Sequence, residues 1–423
     1  MNDAAQQESD VLVTADGTPL KVSLARAMRR QKIRAVLLVA PLFLFIVITF
    51  FIPIVDMLFR SVENSIVIKV LPRSTALLAN WDANGNKLPS EAVFAAMVED
   101  IKEGRKNRTI TRVGQRLNYE QPGMSSLFRS SGRKAKRITQ APYKPALIKT
   151  NPKWGDIETW KLIKQFSPAY TPGYFLAAID AKQNPDGELV RVEEEVRIYI
   201  DLFGRTLKLS IIITIITLIL GFPIAYLMAM LPTRTSNLLL ILVLLPFWTS
   251  LLVRTTAWIA LLQQQGVINE FLVFAGLVDT DNRPQMIHNQ FGSIVAMTHI
   301  LLPFMVLPLF SVMKTIPKSY ARAAVSLGAH PWTAFWKVYF PNTVPGIGAG
   351  AILVFILAIG YYITPELVGG TEGTFISNRI AYHISGSLNW GLGAALGVIL
   401  LGVVIALYLL YDKIVGIDNM KLG

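Results

Sequence analysis

Six apolar stretches, each long enough to cross a lipid bilayer, constrain the fold of this chain more than any other feature. An α-helix rises 1.5 Å per residue, so about 20 residues cross the roughly 30 Å hydrocarbon core. The pattern predicts six membrane-spanning helices, TM1 to TM6, at residues 35–59, 206–231, 237–262, 291–313, 344–363 and 390–411. Gly221 and Pro223 are expected to break TM2. The sequence therefore predicts an all-α integral membrane protein with six transmembrane helices.

Composition agrees with this class and excludes several kinds of function. The chain is 52% hydrophobic and 16% charged, with a mean hydropathy of +0.44, which is typical of a polytopic membrane protein. It has no cysteine, so neither disulfides nor a thiolate site are expected. Its four histidines are scattered without a metal-binding spacing, and no P-loop or GxSxG motif occurs. We therefore expect no enzyme activity, no metal and no cofactor in this chain.

The distribution of charge predicts an orientation. The net charge of +13 comes without an RNA- or DNA-binding motif, so we expect contact with membrane lipid or acidic partners and no nucleic acid. A basic N-terminal segment, residues 1–34, precedes TM1. Lysine and arginine are more frequent in the segments that lie in the cytoplasm when this N-terminus does. The C-terminal segment, residues 413–423, then also lies in the cytoplasm, and a large insertion, residues 60–203, lies outside.

The insertion between TM1 and TM2 differs in character from the rest of the chain. It contains no apolar stretch long enough to span a membrane. Helical periodicity appears at residues 89–102, 156–166 and 172–182, and the sequence NPDG at 184–187 predicts a turn. Residues 104–143 are strongly basic and have few apolar side chains, so we expect a loosely ordered middle. The segment is long enough to bury a modest core of its own.

Residues 320–341, between TM4 and TM5, have the pattern of two short helices joined by a sharp turn. Gly328 occupies the position where a helix end needs a residue that tolerates a positive φ angle. Pro331 suits the first turn of the second helix, because its missing N–H would be unbonded there. The second helix has an aromatic face formed at helical spacing by Trp332, Phe335, Trp336 and Tyr339. Pro341 is expected to end this helix.

This stretch resembles the "EAA" loop of permease subunits of ATP-binding-cassette (ABC) importers. The residues that match the spacing of that loop are Ala323, Ala324, Gly328, Val338 and Pro341. In that family the loop docks into the cleft of the ATPase subunit. The resemblance implies that the residues coupling this chain to an ATPase are Arg322, Ala323, Ala324, Gly328, Trp332, Phe335, Trp336 and Pro341. Arg322 departs from the pattern, because the family usually has a glutamate there, and this leaves the local ion pairing open.

The resemblance also implies a fold and a set of partners. The fold is that of a type I ABC importer permease, with a five-helix core at residues 204–412 that includes a cytoplasmic coupling loop at 314–343. The partners are a second permease subunit in a heterodimer, two ATPase subunits that bind ATP and Mg, and a periplasmic solute-binding protein. The location is the bacterial inner membrane, with the insertion in the periplasm.

TM3 and TM4 resemble the spermidine/putrescine branch of these permeases. The matching sequences are PFWTS at 246–250, VR at 253–254, NEF at 269–271 and LLPFMV at 301–306, and the resemblance covers residues 204–410. Arg254 and Trp258 lie one helical turn apart. A charge inside a span usually faces a cavity or a partner, although an arginine near the external end could equally extend toward lipid headgroups. The predicted substrate pathway in this region includes Trp248, Arg254, Trp258 and Asn269.

The end of TM5 supplies further pathway candidates. Pro365 and the glycines that follow it predict a broken helix end, where backbone groups can line a cavity. Glu366 could attract an ammonium group, and the rings of Tyr361 and Tyr362 could add cation–π attraction. The competing interpretation is an exposed acid beside two interfacial tyrosines.

Alternatives within and outside this class remain open. The solute could be an amino acid or an opine instead of a polyamine, because an arginine near the pathway favours a carboxylate. A secondary transporter would work without an ATPase, but it usually shows internal repeats, and we find none. A non-transporting membrane scaffold would leave the spacing from Gly328 to Pro341 unexplained.

Overall fold

The computed structural model describes residues 20–415 apart from residues 84, 86, 185 and 186. Most of the predicted N-terminal segment, all but three residues of the C-terminal one and the centre of the predicted 184–187 turn lie outside the described residues. The chain divides into two units, residues 1–59 and 60–423. The first contains α1 (Leu20–Ile46) and most of α2 (Ile52–Arg60), joined by a π-helical turn at Val47–Phe51. Residues Gln31–Arg60 form one helix long and apolar enough to cross a membrane, as predicted for TM1.

The second unit begins with a helical domain that carries its own core. Its helices are α3 (Ser65–Val70), α4 (Pro72–Ala79), α5 (Glu91–Lys106), α6 (Ile110–Asn118), α7 (Met124–Lys134), α8 (Tyr143–Thr150) and α9 (Ile157–Gln165). At the centre, the rings of Phe94 and Trp154 lie 4.6 and 5.2 Å from that of Trp160. Phe128 packs edge-on against Trp154. The predicted helices at 89–102 and 156–166 are confirmed.

The prediction of a loosely ordered middle was wrong. Residues 104–143 form helices α6 and α7, and their apolar side chains are part of the buried core. Ile110, Val113 and Leu117 are fully or almost fully buried and follow i, i+3, i+7 spacing, so they form one face of α6. Most of the arginines and lysines, such as Arg112, Arg129 and Arg133, occupy solvent-exposed positions of the same helices, whereas Arg116 is buried. The density of positive charge concealed the apolar periodicity.

The ends of this domain lie side by side, and the chain then passes to the membrane core. The Asn64 N–H donates to the Ala169 carbonyl at 2.7 Å, and the Thr171 N–H donates to the Val62 carbonyl at 2.9 Å. The helix predicted at 172–182 is shorter: α10 (Gly173–Ala178) is followed by a two-stranded antiparallel hairpin, β1 (Ala181–Gln183) with β2 (Leu189–Arg191).

The membrane core follows. Its helices are α11 (Tyr199–Met230), α12 (Thr233–Leu244), α13 (Leu251–Leu262), α14 (Val267–Phe274), α15 (Gln290–Thr315), α16 (Lys318–Ser326), α17 (Pro331–Ala334), α18 (Phe340–Gly360), α19 (Ile363–Val368), α20 (Ile376–Ser385) and α21 (Trp390–Val415). Helices α11, α15 and α18 form the centre and pack closely at glycines: a Cβ at Gly350 would lie 2.8 Å from the sulfur of Met305. On another side of the core, α10 packs on α21.

The expected break of TM2 at Gly221 and Pro223 does not occur. Helix α11 runs without interruption through both residues. Pro223 removes one backbone donor, but membrane helices tolerate prolines where neighbouring elements compensate. Gly221 is instead a packing site, because a Cβ there would lie 3.1 Å from the side chain of Met305 on α15.

TM3 was predicted as one span, and the structure breaks it. Helix α12 continues into a 3₁₀ turn at Leu245–Trp248, and α13 and α14 then turn away, so that the two helical segments meet at 95°. Pro246 lacks the N–H that an α-helix would use, and Ser250 starts a new helix, because its Oγ accepts the Val253 N–H at 3.2 Å. Within the described residues the protein thus has five helices that could cross a membrane, or six if this bent pair is one span.

Pro341 does not end the helix that begins at Pro331. Residues Pro331–Gly360 form one continuous helix, with a π-helical turn at Phe335–Tyr339 directly before Pro341. The bonding pattern changes from i+5 to i+4 at this point, which accommodates a residue without an N–H. The second short helix of the predicted pair is therefore the beginning of TM5, which ends at Gly360.

Candidate functional site

The turn at Gly328 has a complete Schellman motif. Gly328 has φ +92°, in the left-handed region that favours glycine. Its N–H donates to the Val325 carbonyl at 2.9 Å, and the Ala329 N–H donates to the Ala324 carbonyl at 3.0 Å. Both carbonyls of the last turn of α16 are therefore bonded, and the chain reverses direction sharply. The glycine and the sharp turn that the sequence predicts are confirmed.

The next helix starts as its sequence predicts. Pro331 is its first residue, and the His330 Nδ1 accepts the Trp332 N–H at 3.3 Å, which caps the helix. The α16–α17 hairpin thus has a defined geometry at both of its helix ends, although much of its surface faces solvent.

One part of the aromatic face anchors the hairpin to the core. The ring of Phe335 lies 6.3 Å from that of Phe222 and 5.8 Å from that of Tyr226, both on α11 and both nearly perpendicular to it. These distances suit edge-to-face packing. Trp332 and Trp336 remain 66% and 45% exposed, which is unusual for such large apolar side chains. The exposed tryptophans are available to a partner, and Phe335 is not.

Two open cavities flank this aromatic face. The first has a volume of about 770 Å³ and lies between α11 and the helix that starts at Pro331; Phe222 and Trp336 are among its lining residues. The second, about 720 Å³, lies between the two arms of the hairpin, with Arg322 at its edge. Arg322 is exposed, and its Nε donates to the Lys318 carbonyl at 3.4 Å. It forms no ion pair with any residue that the structure describes, so its charge is available to a partner.

Arg254 and Trp258 face α15. The indole N–H of Trp258 donates to the Nδ1 of His299 at 3.2 Å. The Nε of Arg254 is buried and has no hydrogen-bond partner in the described part of the chain. A partly exposed arginine with a buried, unpaired Nε donor in an apolar segment marks a candidate functional position.

The end of TM5 is fixed by residues that the sequence did not indicate. The Nδ2 of Asn378 donates to the Tyr362 carbonyl at 2.8 Å and to Oε2 of Glu366 at 2.6 Å. The hydroxyl of Ser377 donates to the Tyr361 carbonyl at 2.6 Å. Both donors follow their acceptors by 12 to 16 residues, so no local pattern reveals them. The break itself falls at Tyr361 and Tyr362, earlier than predicted, since Pro365 lies inside α19.

The structure brings some of the predicted pathway residues together and separates others. Helices α13 and α19 pack through Thr255 and Thr364, whose hydroxyls are 3.2 Å apart, so Arg254 and the end of TM5 belong to one region. Trp248 lies before the bend that separates α12 from α13, and 73% of its surface is exposed. Asn269 is fully buried, and its Nδ2 donates to the carbonyls of Gln263 and Pro284, which ties a loop together.

The described chain thus combines five or six candidate spans with an exposed α16–α17 hairpin, which is the architecture of an integral membrane protein. Residues 205–415 match the family described as binding-protein-dependent transport system inner membrane component. The chain is 34% identical over 226 residues to the spermidine/putrescine transport system permease protein PotB of Salmonella typhimurium (strain SL1344), covering 53% of this chain and 78% of that protein. It is 33% identical over 262 residues to the inner membrane ABC transporter permease protein YdcU of Escherichia coli (strain K12), covering 59% and 79%.

Among solved structures, a bacterial alginate ABC transporter in complex with an alginate pentasaccharide-bound periplasmic protein aligns with a TM-score of 0.44 at 18% identity, over 54% of this chain and 82% of that one. The chain belongs to the binding-protein-dependent transport system inner membrane component family. It is a permease subunit of an ABC importer, which is a transport component of the bacterial inner membrane. The family match begins at residue 205, so the helical domain at 62–171 lies outside it.

Proposed function

We propose that this chain forms half of the translocation pathway of a polyamine importer, as one permease of a heterodimer driven by two ATPase subunits. The solute is inferred from the 34% identity to PotB, whose name specifies spermidine and putrescine. The ATPase subunits would bind ATP and Mg, and this chain would bind neither. The observation that carries the coupling role is the Schellman turn at Gly328 followed by two exposed tryptophans.

The α16–α17 hairpin is the proposed contact with the ATPase. Its proposed coupling residues are Arg322, Ala323, Ala324, Gly328, Trp332, Phe335, Trp336 and Pro341. Two of them act inside the chain: Phe335 packs against α11, and Pro341 follows the π-helical turn within the continuous helix. A movement imposed on the exposed tryptophans would therefore pass into TM5 without crossing a loop.

Co-purification from native membranes, followed by mass spectrometry, tests this assembly. We expect an ATPase, a second permease and a solute-binding protein in the eluate, and putrescine or spermidine uptake by the complex after reconstitution into vesicles. Recovery of the chain alone from mild detergent, with solute uptake that needs no ATP, would reject the importer in favour of a secondary transporter. Recovery without any transport activity would favour a membrane scaffold.

The proposed pathway combines the end of TM5 with α13. Its residues are Trp248, Arg254, Trp258, Asn269, Tyr361, Tyr362 and Glu366. Glu366 supplies a negative charge at an exposed position, held by Asn378, and Tyr362 supplies an exposed ring; both suit an ammonium group. Asn269 acts indirectly, since it positions the loop between α13 and α15.

Arg254 favours a second candidate, a solute that carries a carboxylate, such as an amino acid or an opine. A cation with an unpaired donor repels a polyamine and attracts a carboxylate. The variant Arg254→Gln separates the two. Uptake of a carboxylate solute should fall about tenfold or more, whereas uptake of putrescine should be unchanged or faster. Arg254→Lys, which keeps the charge, is the matched control.

The helical domain at 62–171 is proposed to lie in the periplasm, with both termini in the cytoplasm, and to help dock the binding protein. Residues 121–155 contain eight lysines and arginines and no acidic residue. Arg133 is one of these, and it is exposed. Arg133→Glu should weaken docking of the binding protein by about two- to fivefold at low salt, and less at high salt. Arg191→Glu, a charge reversal at an exposed position outside this surface, is the control; equal effects of the two would reject the docking role.

A further inference from the structure

Arg116 is a buried cation with one unpaired nitrogen. Its side chain is 2% exposed, and its guanidinium lies 4.7 Å from the ring centre of Phe166 and 4.6 Å from that of Tyr174. The Nε donates to Oδ1 of Asn64 at 2.8 Å, and Nη1 donates to Oε1 of Glu120 at 2.7 Å. The Nη2 is buried and has no hydrogen-bond partner among the residues described here. A buried charged donor left unpaired is strongly unfavourable, so it indicates a missing acceptor.

Arg116 lines a cavity with an excess of positive charge. The cavity has a volume of about 380 Å³, within the range of small-ligand sites. Its charged lining, among the described residues, consists of Arg60, Glu63, Arg112 and Arg116. Glu63 already interacts with two other groups, since it accepts the Ser65 hydroxyl at 2.6 Å and lies 3.8 Å from the Lys69 ammonium. Arg116 is already paired with Glu120, so the exposed guanidinium of Arg112 and the open Nη2 donor of Arg116 are the two features of this lining that suit an anion.

The cavity lies at the beginning of one candidate span, α21. Arg60 is the last residue of α2, and Trp390 is the first residue of α21. The Arg60 guanidinium lies 5.5 Å from the centre of the Trp390 ring, and both residues line the cavity. Tryptophan and arginine at the ends of apolar helices are typical of the headgroup level of a membrane. The site is therefore placed where phosphate groups of lipids are concentrated.

We propose that this cavity binds a phosphate-class oxyanion, either a lipid phosphodiester headgroup or free phosphate. Arg116 would donate from Nη2, and Arg112, which is exposed at the same cavity, would supply a second guanidinium. Guanidinium groups match the oxygens of a phosphate better than an ammonium group does. The ligand would join the helical domain at 62–171 to the loop before α21, alongside the bond from the Tyr119 hydroxyl to the Ser387 carbonyl at 2.9 Å.

Two binding measurements on the full-length chain test this proposal and identify the source of the anion. In the first, the detergent-purified chain is titrated with inorganic phosphate against chloride at equal ionic strength, and the rise in Tm gives an apparent Kd. In the second, the chain is exchanged into nanodiscs of phosphatidylcholine with or without phosphatidylglycerol, and native mass spectrometry counts the phosphatidylglycerol it retains.

Arg112→Gln is the variant that tests whether the cavity binds the anion, because Arg112 is exposed and its replacement leaves the buried contacts of Arg116 in place. Arg129→Gln, on the exposed side of α7 and outside the cavity, is the matched control. We expect Arg112→Gln to weaken binding about tenfold and Arg129→Gln to leave it unchanged. Loss confined to retained phosphatidylglycerol identifies a lipid site, and loss confined to the phosphate titration identifies a free-ion site.

Absence of both responses in the unmodified chain would overturn the proposal, as would equal losses in the two variants. Arg116→Lys provides an independent check, since it keeps one positive charge and removes the planar group that carries Nη2. If this variant folds, as shown by an unchanged elution volume, its binding should fall at least as far as that of Arg112→Gln. Unaltered binding in Arg116→Lys would also overturn the proposal.

Discussion

Replacing Gly328 tests whether the coupling turn depends on its backbone conformation alone. At φ +92°, a residue with a side chain costs about 1–2 kcal/mol more than glycine. A Cβ added at this position would meet no atom within 4 Å, so no clash adds to that cost. The ratio of closed to open turn should therefore fall about fivefold to thirtyfold in Gly328→Ala. In Gly328→Asn the ratio of closed to open turn should fall less, since asparagine adopts the left-handed region more readily than alanine does.

Two assays read this change at different levels. Hydrogen exchange followed by mass spectrometry reports the closed turn directly, because the amides of Gly328 and Ala329 are bonded only when it is closed. Their protection should fall by the same fivefold to thirtyfold. In the reconstituted complex, ATP hydrolysis stimulated by the binding protein should fall in the same order, with alanine below asparagine.

The matched control is Gly204→Ala. Gly204 lies in the first turns of α11, and a Cβ there would also meet nothing within 4 Å, but its φ is not positive. This variant should keep full exchange protection at the coupling turn and full ATP hydrolysis. Unchanged protection in Gly328→Ala would refute the conformational argument. Gly328→Leu adds a test of the ATPase contact: in the isolated chain it should match alanine, and in the complex it should be worse.

Two further predictions concern stability. Gly114→Ala should destabilise the helical domain at 62–171 by about 1–3 kcal/mol, because a Cβ there would lie 3.1 Å from that of Phe128. Gly155→Ala is the control and should leave the stability unchanged, because its Cβ would lie 3.7 Å from its nearest neighbour. Equal proteolysis rates for the two variants would contradict this prediction. Burial lowers the pKa of His383 from 6.5 to about 4, so the unfolded chain binds more protons between these values and stability should fall as the pH drops through this window; His383→Gln should reduce that loss in a thermal unfolding series.

The sequence predicted the spans well where apolar length alone decides, and less well where backbone bonding decides. The long apolar helices at 199–230, 290–315 and 390–415 cover all but one residue of their predicted spans, because a long apolar segment in lipid must bond its polar backbone groups internally, as a helix does. The run through Pro246 was predicted as one span because its apolar length was given more weight than Pro246 and Ser250, the two residues at which the structure makes its 95° bend. Pro341 was predicted to end a helix that in fact continues through it, because the π-helical turn that accommodates this proline cannot be seen in the sequence.

The residues of the candidate site also fall into two groups, those that local sequence patterns predict and those that only contacts between distant elements reveal. Gly328 and Pro331 have strong local signatures and were predicted correctly. Asn378 and the unpaired Arg254 acquire their significance from contacts between distant elements, and no spacing rule encodes them. In the helical domain, Ile110 and Leu117 were overlooked, because arginines and lysines dominate the composition of the segment although most of them, such as Arg112, are exposed.

The paired backbone bonds between Val62 and Thr171 and between Asn64 and Ala169 have a consequence for how this chain could have been assembled. Closing a flexible loop of about 100 residues costs on the order of 4 kcal/mol of chain entropy. Here the segment 62–171 begins and ends at adjacent points, so it replaces a short turn in the chain that leads to the membrane core. Burial of the segment's own hydrophobic core offsets the entropy cost of closing the loop. Such a segment is a transplantable module. Grafted between the first two spans of a relative without it, residues 62–171 should fold in place and leave the host permease intact.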